Sequence, residues 1–328
     1  SGAHAMAIGL ATACVVPEDL DKTVDAILAT KTTNQNQGMS TSGPVISSKE
    51  KLNVKQTIKR SRMHSQAPLA ALQVVEQSAR MSISEGLHIE RDTFTALIQS
   101  DAGRNLIRMF FTNDRLRKEC WGVETIPLSI KQPAVVGAGT MGGGIAWAFS
   151  SLDLPVVMND INEDQLVQGM NATRSMYDYD LRRGHTTNDQ INKNMDRINA
   201  VTDLPSLTGT DIVIEAVSED LELKQQVLHA LEKHVSADTI IATNSSSLPI
   251  DELSAVLTRP ERFIAIHFFN PVNRMPLVEI ARAPKTTDQV LSTALSLART
   301  LGKTPIVVGG KPGFVSNRVL MPMINEAA

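Results

Sequence analysis

A doubly wound α/β fold, with a mainly parallel sheet covered by helices on both faces, is the architecture the sequence predicts. Three observations predict it. From Lys131 onward, short β-branched runs alternate with helical stretches. The first run enters a glycine turn, Gly137-Ala138-Gly139-Thr140-Met141-Gly142, and a helical pattern starts at once. The second run ends on an acid, Asp160, eighteen residues after Gly142. Alternation of apolar strands with helices implies parallel pairing buried on both sides. The turn and the distant acid make this the Rossmann-type version of that fold.

The elements follow in order. Residues 3–16 mix a short helical pattern with the β-branched pair Val15-Val16. Pro17-Glu18-Asp19 then opens a helix through Ala29, since proline suits a first helical turn. Residues 30–62 are rich in Thr, Asn, Gln, Ser and Lys, lack apolar periodicity and read as a loop or linker broken by Gly43-Pro44. Helical spacing returns at Pro68, with Leu69, Leu72, Val75 and Ala79 on one face. A second helix carries Leu87, Phe94, Leu97 and Ile98, and a third Leu106, Ile107, Phe110 and Phe111. A polar segment from Asn113 to Glu124 leads to the sheet. Strands are expected at 133–138, 155–160, 211–217, 239–243, 262–268, 277–281 and 304–308. The short connection between 262–268 and 277–281 allows an antiparallel pair. The helix from Glu163 to Arg183 is long enough to project beyond the sheet.

The glycine turn has a specific physics. Gly137 permits a tight strand-to-helix reversal, Gly139 leaves room for a pyrophosphate to reach the backbone, and Gly142 lets the helix pack on the strand. The helix N-terminus presents free N–H groups and a positive dipole end to phosphates. Asp160 would accept from a ribose diol and repel a 2′-phosphate, and Ile161 and Asn162 bring no arginine to offset that. NAD is therefore expected in preference to NADP.

Composition narrows the class. The chain has 328 residues, which suggests two domains rather than one. A hydrophobic content of 42%, a charged content of 20% and a net charge of −3 fit a globular protein without a nucleic-acid surface. Two cysteines, Cys14 and Cys120, form no disulfide framework and point to a reducing, cytoplasmic compartment. No apolar run approaches the ~20 residues of a membrane span, and no metal-ligand spacing stands out.

In a doubly wound sheet, ligands lie beyond the carboxyl ends of the strands. Four polar segments end there. They are Glu215-Ala-Val-Ser-Glu219-Asp220 with Lys224, Asn244-Ser245-Ser246-Ser247, His267-Phe-Phe-Asn270-Pro271, and the strand holding Glu279. His267 is the natural base for hydride transfer, because imidazole titrates near working pH. Glu279, on the neighbouring strand, could hold the other ring nitrogen and fix the tautomer. Blander roles remain open. His267 can be a core histidine, one serine of 245–247 can cap the helix around Asp251 to Val256, and Glu219 with Lys224 can be a surface pair.

These strings together resemble the 3-hydroxyacyl-CoA dehydrogenases, in particular the multifunctional fatty-acid β-oxidation proteins in which a crotonase-type enoyl-CoA hydratase domain comes first. The resemblance rests on Val-Val-Gly-Ala-Gly-Thr-Met-Gly-Gly-Gly-Ile-Ala, Val-Ile-Glu-Ala-Val-Ser-Glu-Asp, Thr-Asn-Ser-Ser-Ser-Leu-Pro-Ile, His-Phe-Phe-Asn-Pro-Val, Leu-Val-Glu-Ile and Pro-Gly-Phe-Val-Ser-Asn-Arg. Order and spacing agree from residue 131 to 328. The string at His267 followed by Glu279 is far more specific than the turn. Two departures, Ser245 where Thr is common and Asp220 where Asn is common, remove no functional group.

The resemblance implies roles by position. His267 would be the general base and Glu279 its partner. Ser246 would contact substrate and nicotinamide, and Asn317 would hydrogen-bond substrate. Thr140, Met141, Asp160, Val217, Ser218, Glu219, Lys224, Ser246 and Asn270 would join Gly137, Gly139 and Gly142 around NAD. Arg182 and Arg183 would form an exposed helix end or meet coenzyme A phosphates. The substrate would be an acyl-CoA thioester, with a thiolase subunit as a partner in a β-oxidation complex. The implied organisation is a crotonase-like remnant at 1–31, a linker at 32–64, connecting helices at 65–125, the NAD-binding domain at 131–312, and the start of a C-terminal helical domain at 313–328. On that reading the chain is an internal piece of a longer protein without hydratase activity of its own. Two other readings fit the residues. One is a β-hydroxyacid dehydrogenase of the 3-hydroxyisobutyrate type, with a lysine base. The other is a non-catalytic NAD-binding module.

Overall fold

The computed structural model describes residues 13–31, 47–60, 66–79 and 81–327, with Gly2 and Met6. The expectations for residues 3–5, 7–12, 32–46 and 61–65 lie outside the described residues. The chain divides into two compact units, Ser1–Arg108 and Met109–Ala328. Among the described residues no helix is long and apolar enough to cross a membrane.

The first unit is helical where described. After a 3-10 turn at Pro17–Asp19 come α1 (Leu20–Lys31), α2 (Ser48–Arg60), α3 (Ala67–Ser78), α4 (Ile83–Gln99) and the start of α5 (Asp101–Lys118). Helix α2 corrects the expectation of a loop there. Its cause is local. Ser47 and Glu50 form a reciprocal cap, with Glu50 N donating to Ser47 Oγ at 3.2 Å and Ser47 N donating to Glu50 Oε2 at 2.8 Å. The stretch behind it holds four lysines together with Leu52, Gln56 and Arg60, residue types that favour helix. Ser82 and Glu85 build the same cap on α4. Helix α5 continues to Lys118, beyond the expected polar boundary at Asn113, and Arg115, Arg117 and Lys118 complement the negative end of its dipole.

The second unit holds an eight-stranded sheet in the order β3-β2-β1-β4-β5-β6-β7-β8. The strands are β1 (Pro133–Val136), β2 (Val156–Asn159), β3 (Ile198–Val201), β4 (Ile212–Glu215), β5 (Ile240–Thr243), β6 (Phe263–Phe268), β7 (Leu277–Arg282) and β8 (Thr304–Val308). Every neighbouring pair is parallel except β6 with β7, which is antiparallel. Seven of these strands match the runs read from sequence to within two residues at either end. The eighth, β3, is an edge strand that buries only Ile198 fully, so its sequence Ile-Asn-Ala-Val lacks an apolar run.

Alternate strand residues serve opposite faces. Val135, Ile212, Ile214, Ile264 and Ile266 pack with α6 (Thr140–Ser150), α7 (Glu163–Arg182) and α11 (Asp288–Thr300). Val136, Val213, Ile241 and Ala265 pack with α9 (Leu221–His234) and α10 (Ile250–Ser254) on the other side. The remaining helices are α8 (Asn188–Met195) and α12 (Ser316–Ala327). This period of two places Glu215, Thr243, His267 and Glu279 on one face of the sheet, close to the carboxyl ends of β4, β5 and β6.

Candidate active site

The glycine turn is stereochemically forced. Gly137 has φ +95°, and a Cβ there would lie 2.7 Å from the Ala216 carbonyl carbon and the Val217 nitrogen. A Cβ on Gly142 would lie 1.8 Å from the Gly137 oxygen. A Cβ on Gly139 would meet nothing within 4 Å, so open space faces the backbone where phosphates would approach. Thr140 and Met141 begin α6, whose first amides have no intrahelical acceptor. Asp160, at the end of β2, accepts from Ala138 N at 2.9 Å and Asn162 N at 3.1 Å, which seats its carboxylate beside the turn. An open glycine cradle, free helix amides and a neighbouring carboxylate are the groups a dinucleotide requires, so these residues fit NAD. Gly142→Ala is expected to weaken NADH binding by at least about tenfold, because the turn must open to admit the methyl group. A fluorescence titration with parent-like affinity would contradict this account of the turn.

Beyond the strand ends lies a pocket. Its lining brings together Met141, Val217, Glu219, Lys224, Ser246, Asn270, His267 and Asn317 from the sequence-expected set. Ala216, Asn244, Phe268 and Phe269, members of the segments expected beyond the strand ends but given no role there, also line it. Asn244 Oδ1 accepts from Phe268 N at 2.8 Å and so fixes the end of β6. Ser218 lies outside the lining, in the turn where its carbonyl accepts from Asp220 N.

His267 and Glu279 are directly paired across the antiparallel strands β6 and β7. His267 Nδ1 lies 3.0 Å from Glu279 Oε2. A carboxylate at Nδ1 selects the tautomer that leaves Nε2 as the acceptor. Phe269 and Phe314 flank the ring at 4.5 and 5.7 Å between centroids. Glu279 is buried, and burial alone would raise its carboxyl. Donors from His267, Ser316 and Val315 outweigh burial and hold it below the usual carboxylate range. Among the described residues, no protein partner takes His267 Nε2, the Ser246 hydroxyl, or the side-chain amides of Asn270 and Asn317. Four polar ends thus converge unpaired on one pocket, as a ligand-binding site requires.

Lys224 and Glu219 are not a surface pair. Lys224 is 1% exposed, and its Nζ donates to Glu215 Oε1 at 2.7 Å and to the Val217 carbonyl at 3.0 Å, with Glu219 Oε2 at 3.4 Å. Glu215 also accepts from Thr243 Oγ1 and Val217 N. Burial pushes the Glu215 carboxyl up, and the Lys224 charge and these donors act against it. The serine run does not cap α10, whose N-cap is Pro249 without a side-chain bond. Instead Ser245 Oγ, Ser246 N, Ser247 N and Ser247 Oγ all donate to Glu219 Oε1. Burial tends to raise Glu219, but these donors hold its carboxyl down. Glu219 therefore gathers the loop that carries Ser246. Arg182 and Arg183 are exposed at the end of α7, with Arg183 stacked 5.2 Å over Tyr179 and Arg274 at 5.5 Å over the same ring.

Comparison with known proteins places the chain in a family. The family described as "3-hydroxyacyl-CoA dehydrogenase, NAD binding domain" matches residues 132–311. Among solved structures, (S)-3-hydroxybutyryl-CoA dehydrogenase PaaH1 from Ralstonia eutropha is 43% identical, with a TM-score of 0.59 over 61% of this chain and 70% of that one. The 3-hydroxybutyryl-CoA dehydrogenase from Escherichia coli K12 is 34% identical, with a TM-score of 0.58 over 61% of this chain and 42% of that one. The dehydrogenase part of multifunctional enzyme 1 from C. elegans is 27% identical, with a TM-score of 0.55 over 66% of this chain and 52% of that one.

Proposed function

This chain belongs to the 3-hydroxyacyl-CoA dehydrogenase family of NAD-dependent oxidoreductases, and from that premise we propose that it oxidises (3S)-3-hydroxyacyl-CoA to 3-oxoacyl-CoA. The observation that carries the proposal is the pocket itself. His267 Nε2, Ser246 Oγ and Asn317 end there without protein partners, behind them stands Glu279, and beside them lies Met141 of the glycine turn.

Each residue then has a physical task. His267 Nε2 takes the proton of the C3 hydroxyl as the C3–O bond becomes a carbonyl. Bound NAD supplies the acceptor for the C3 hydride. Glu279 holds the ring's tautomer and stabilises the imidazolium. Ser246 and Asn317 donate toward the substrate oxygens, and donors aimed at developing charge contribute about 3 kcal/mol each. Asp160 binds the adenosine ribose and disfavours a 2′-phosphate. A lysine base finds little support, because Lys224, the lysine lining the pocket, is committed to Glu215 and the Val217 carbonyl.

The setting we propose is fatty-acid β-oxidation in a reducing, cytoplasmic compartment, within a multifunctional protein that works with a thiolase. Support comes from the likeness to the dehydrogenase part of a multifunctional enzyme. Two exposed free cysteines suit such a compartment. The test is reduction of acetoacetyl-CoA followed at the NADH absorbance. The proposal expects turnover with NADH, at least tenfold less with NADPH, and none with free acetoacetate. NADH binding without turnover of the thioester would favour a non-catalytic module, and turnover of the free acid would favour the hydroxyacid dehydrogenase reading.

A further inference from the structure

The far oxygen of Glu279 is held by three donors from one short segment after β8. Val315 N lies at 3.1 Å, Ser316 N at 2.9 Å and Ser316 Oγ at 3.0 Å, all on Oε1. The near oxygen, Oε2, faces His267. Gly313 and Phe314 have φ of +79° and +45°, a bend that turns these donors inward, and Gly313 N donates to the Ser246 carbonyl at 2.9 Å. The segment Gly313–Ser316 thus touches both the serine loop and the dyad.

We infer that Ser316 is a positioning residue for the proposed reaction, whose hydroxyl fixes the Glu279 carboxylate and divides its charge between Ser316 and His267. The inference rests on the assignment of His267 as base. A carboxylate shares one delocalised charge between two oxygens, so each donor on Oε1 draws density from Oε2. Removing the hydroxyl leaves Oε2 more negative toward the ring, and the imidazole then keeps its proton to higher pH.

Few other charges compete. Glu219 and Lys224 line the pocket and are tied to the serine loop and to Glu215. Strand β8 presents no ionisable residue. On α11, Asp288 pairs with Arg282 and Arg299 donates to the Glu119 carbonyl. Asp251 and Glu252 of α10 are exposed, as are Lys311 and Arg318 at the ends of the segment.

The experiment compares the parent with Ser316→Ala, Ser316→Cys and Ser316→Thr in the full chain. The readouts are the acid limb of the thioester oxidation rate and the NMR titration midpoint of the His267 ring, assigned with His267→Gln. Ser316→Ala should move both upward by about 0.5 pH unit, a roughly threefold rate loss below the limb. Ser316→Cys, a weaker donor, should shift them less, and Ser316→Thr should restore parent values. NADH affinity should stay within about twofold throughout, since the site of dinucleotide contact is untouched. An unmoved midpoint in Ser316→Ala and Ser316→Cys, or an equal shift in Ser316→Thr, overturns the inference. The NMR midpoint needs no turnover, so it judges Ser316 even if His267→Gln keeps full rate and the base assignment itself fails.

Discussion

His267→Gln is expected to lower turnover by about 10²–10⁴-fold while leaving NADH affinity within about twofold. Glutamine keeps a polar amide of similar reach and can still meet Glu279, but it cannot accept the hydroxyl proton. The loss therefore falls on kcat. The loss should be as large for acetoacetyl-CoA reduction as for the forward oxidation, since the same nitrogen must then deliver the proton. Rapid-mixing kinetics with both substrates, alongside an NADH titration, read the two quantities separately. A variant with near-parent kcat would remove His267 from the chemistry and return it to the role of a packed histidine between Phe269 and Phe314.

The second large effect is on stability. Lys224→Met is expected to destabilise the fold by about 3–5 kcal/mol at neutral pH, the usual cost of leaving one buried charge without its partner. Glu215 would then keep only Thr243 and Val217 as donors, at 0% exposure. The deficit should shrink as pH falls. Without Lys224 the folded pKa of Glu215 rises further above its unfolded value, and such a group disfavours the fold only where it must stay ionised. Denaturant unfolding at two pH values measures this. Adding Glu215→Met should recover most of the loss, because replacing both partners of a buried pair with apolar side chains is often neutral. A loss below about 1 kcal/mol would mean that the pair behaves like an exposed one.

The parts of this molecule that were legible in sequence are those governed by local patterns. The central strands are buried on both faces, so each one must be an apolar run, and the sequence marks them. The glycine turn is legible because backbone positions such as Gly137 and Gly142 exclude a Cβ. The pairing of His267 with Glu279 could be anticipated because two consecutive strands with a short connection bring facing residues together. What was hidden depends on tertiary placement. The ion pair of Glu215 and Lys224 joins the end of a strand to a helix, and nothing in the spacing says that the lysine is buried. The serine run looks like a helix cap, yet it folds around Glu219, more than twenty residues earlier. Ser316 reaches Glu279 from 37 residues away. Two other signals are local: the Ser47–Glu50 cap announces α2, and Arg115-Leu116-Arg117-Lys118, good helix formers with a basic end, carry α5 past Asn113. Strand β3 carries no such signal, because one edge residue is all it buries.

The turnover and titration predictions meet at one nitrogen, His267 Nε2. A crystal structure with NAD and acetoacetyl-CoA bound measures its position directly. The account predicts His267 Nε2 within about 3.2 Å of the thioester's C3 oxygen, with Nδ1 still on Glu279 and the Ser246 hydroxyl on the same oxygen. A C3 oxygen more than a water's width from Nε2, with the imidazole facing protein instead, would contradict it.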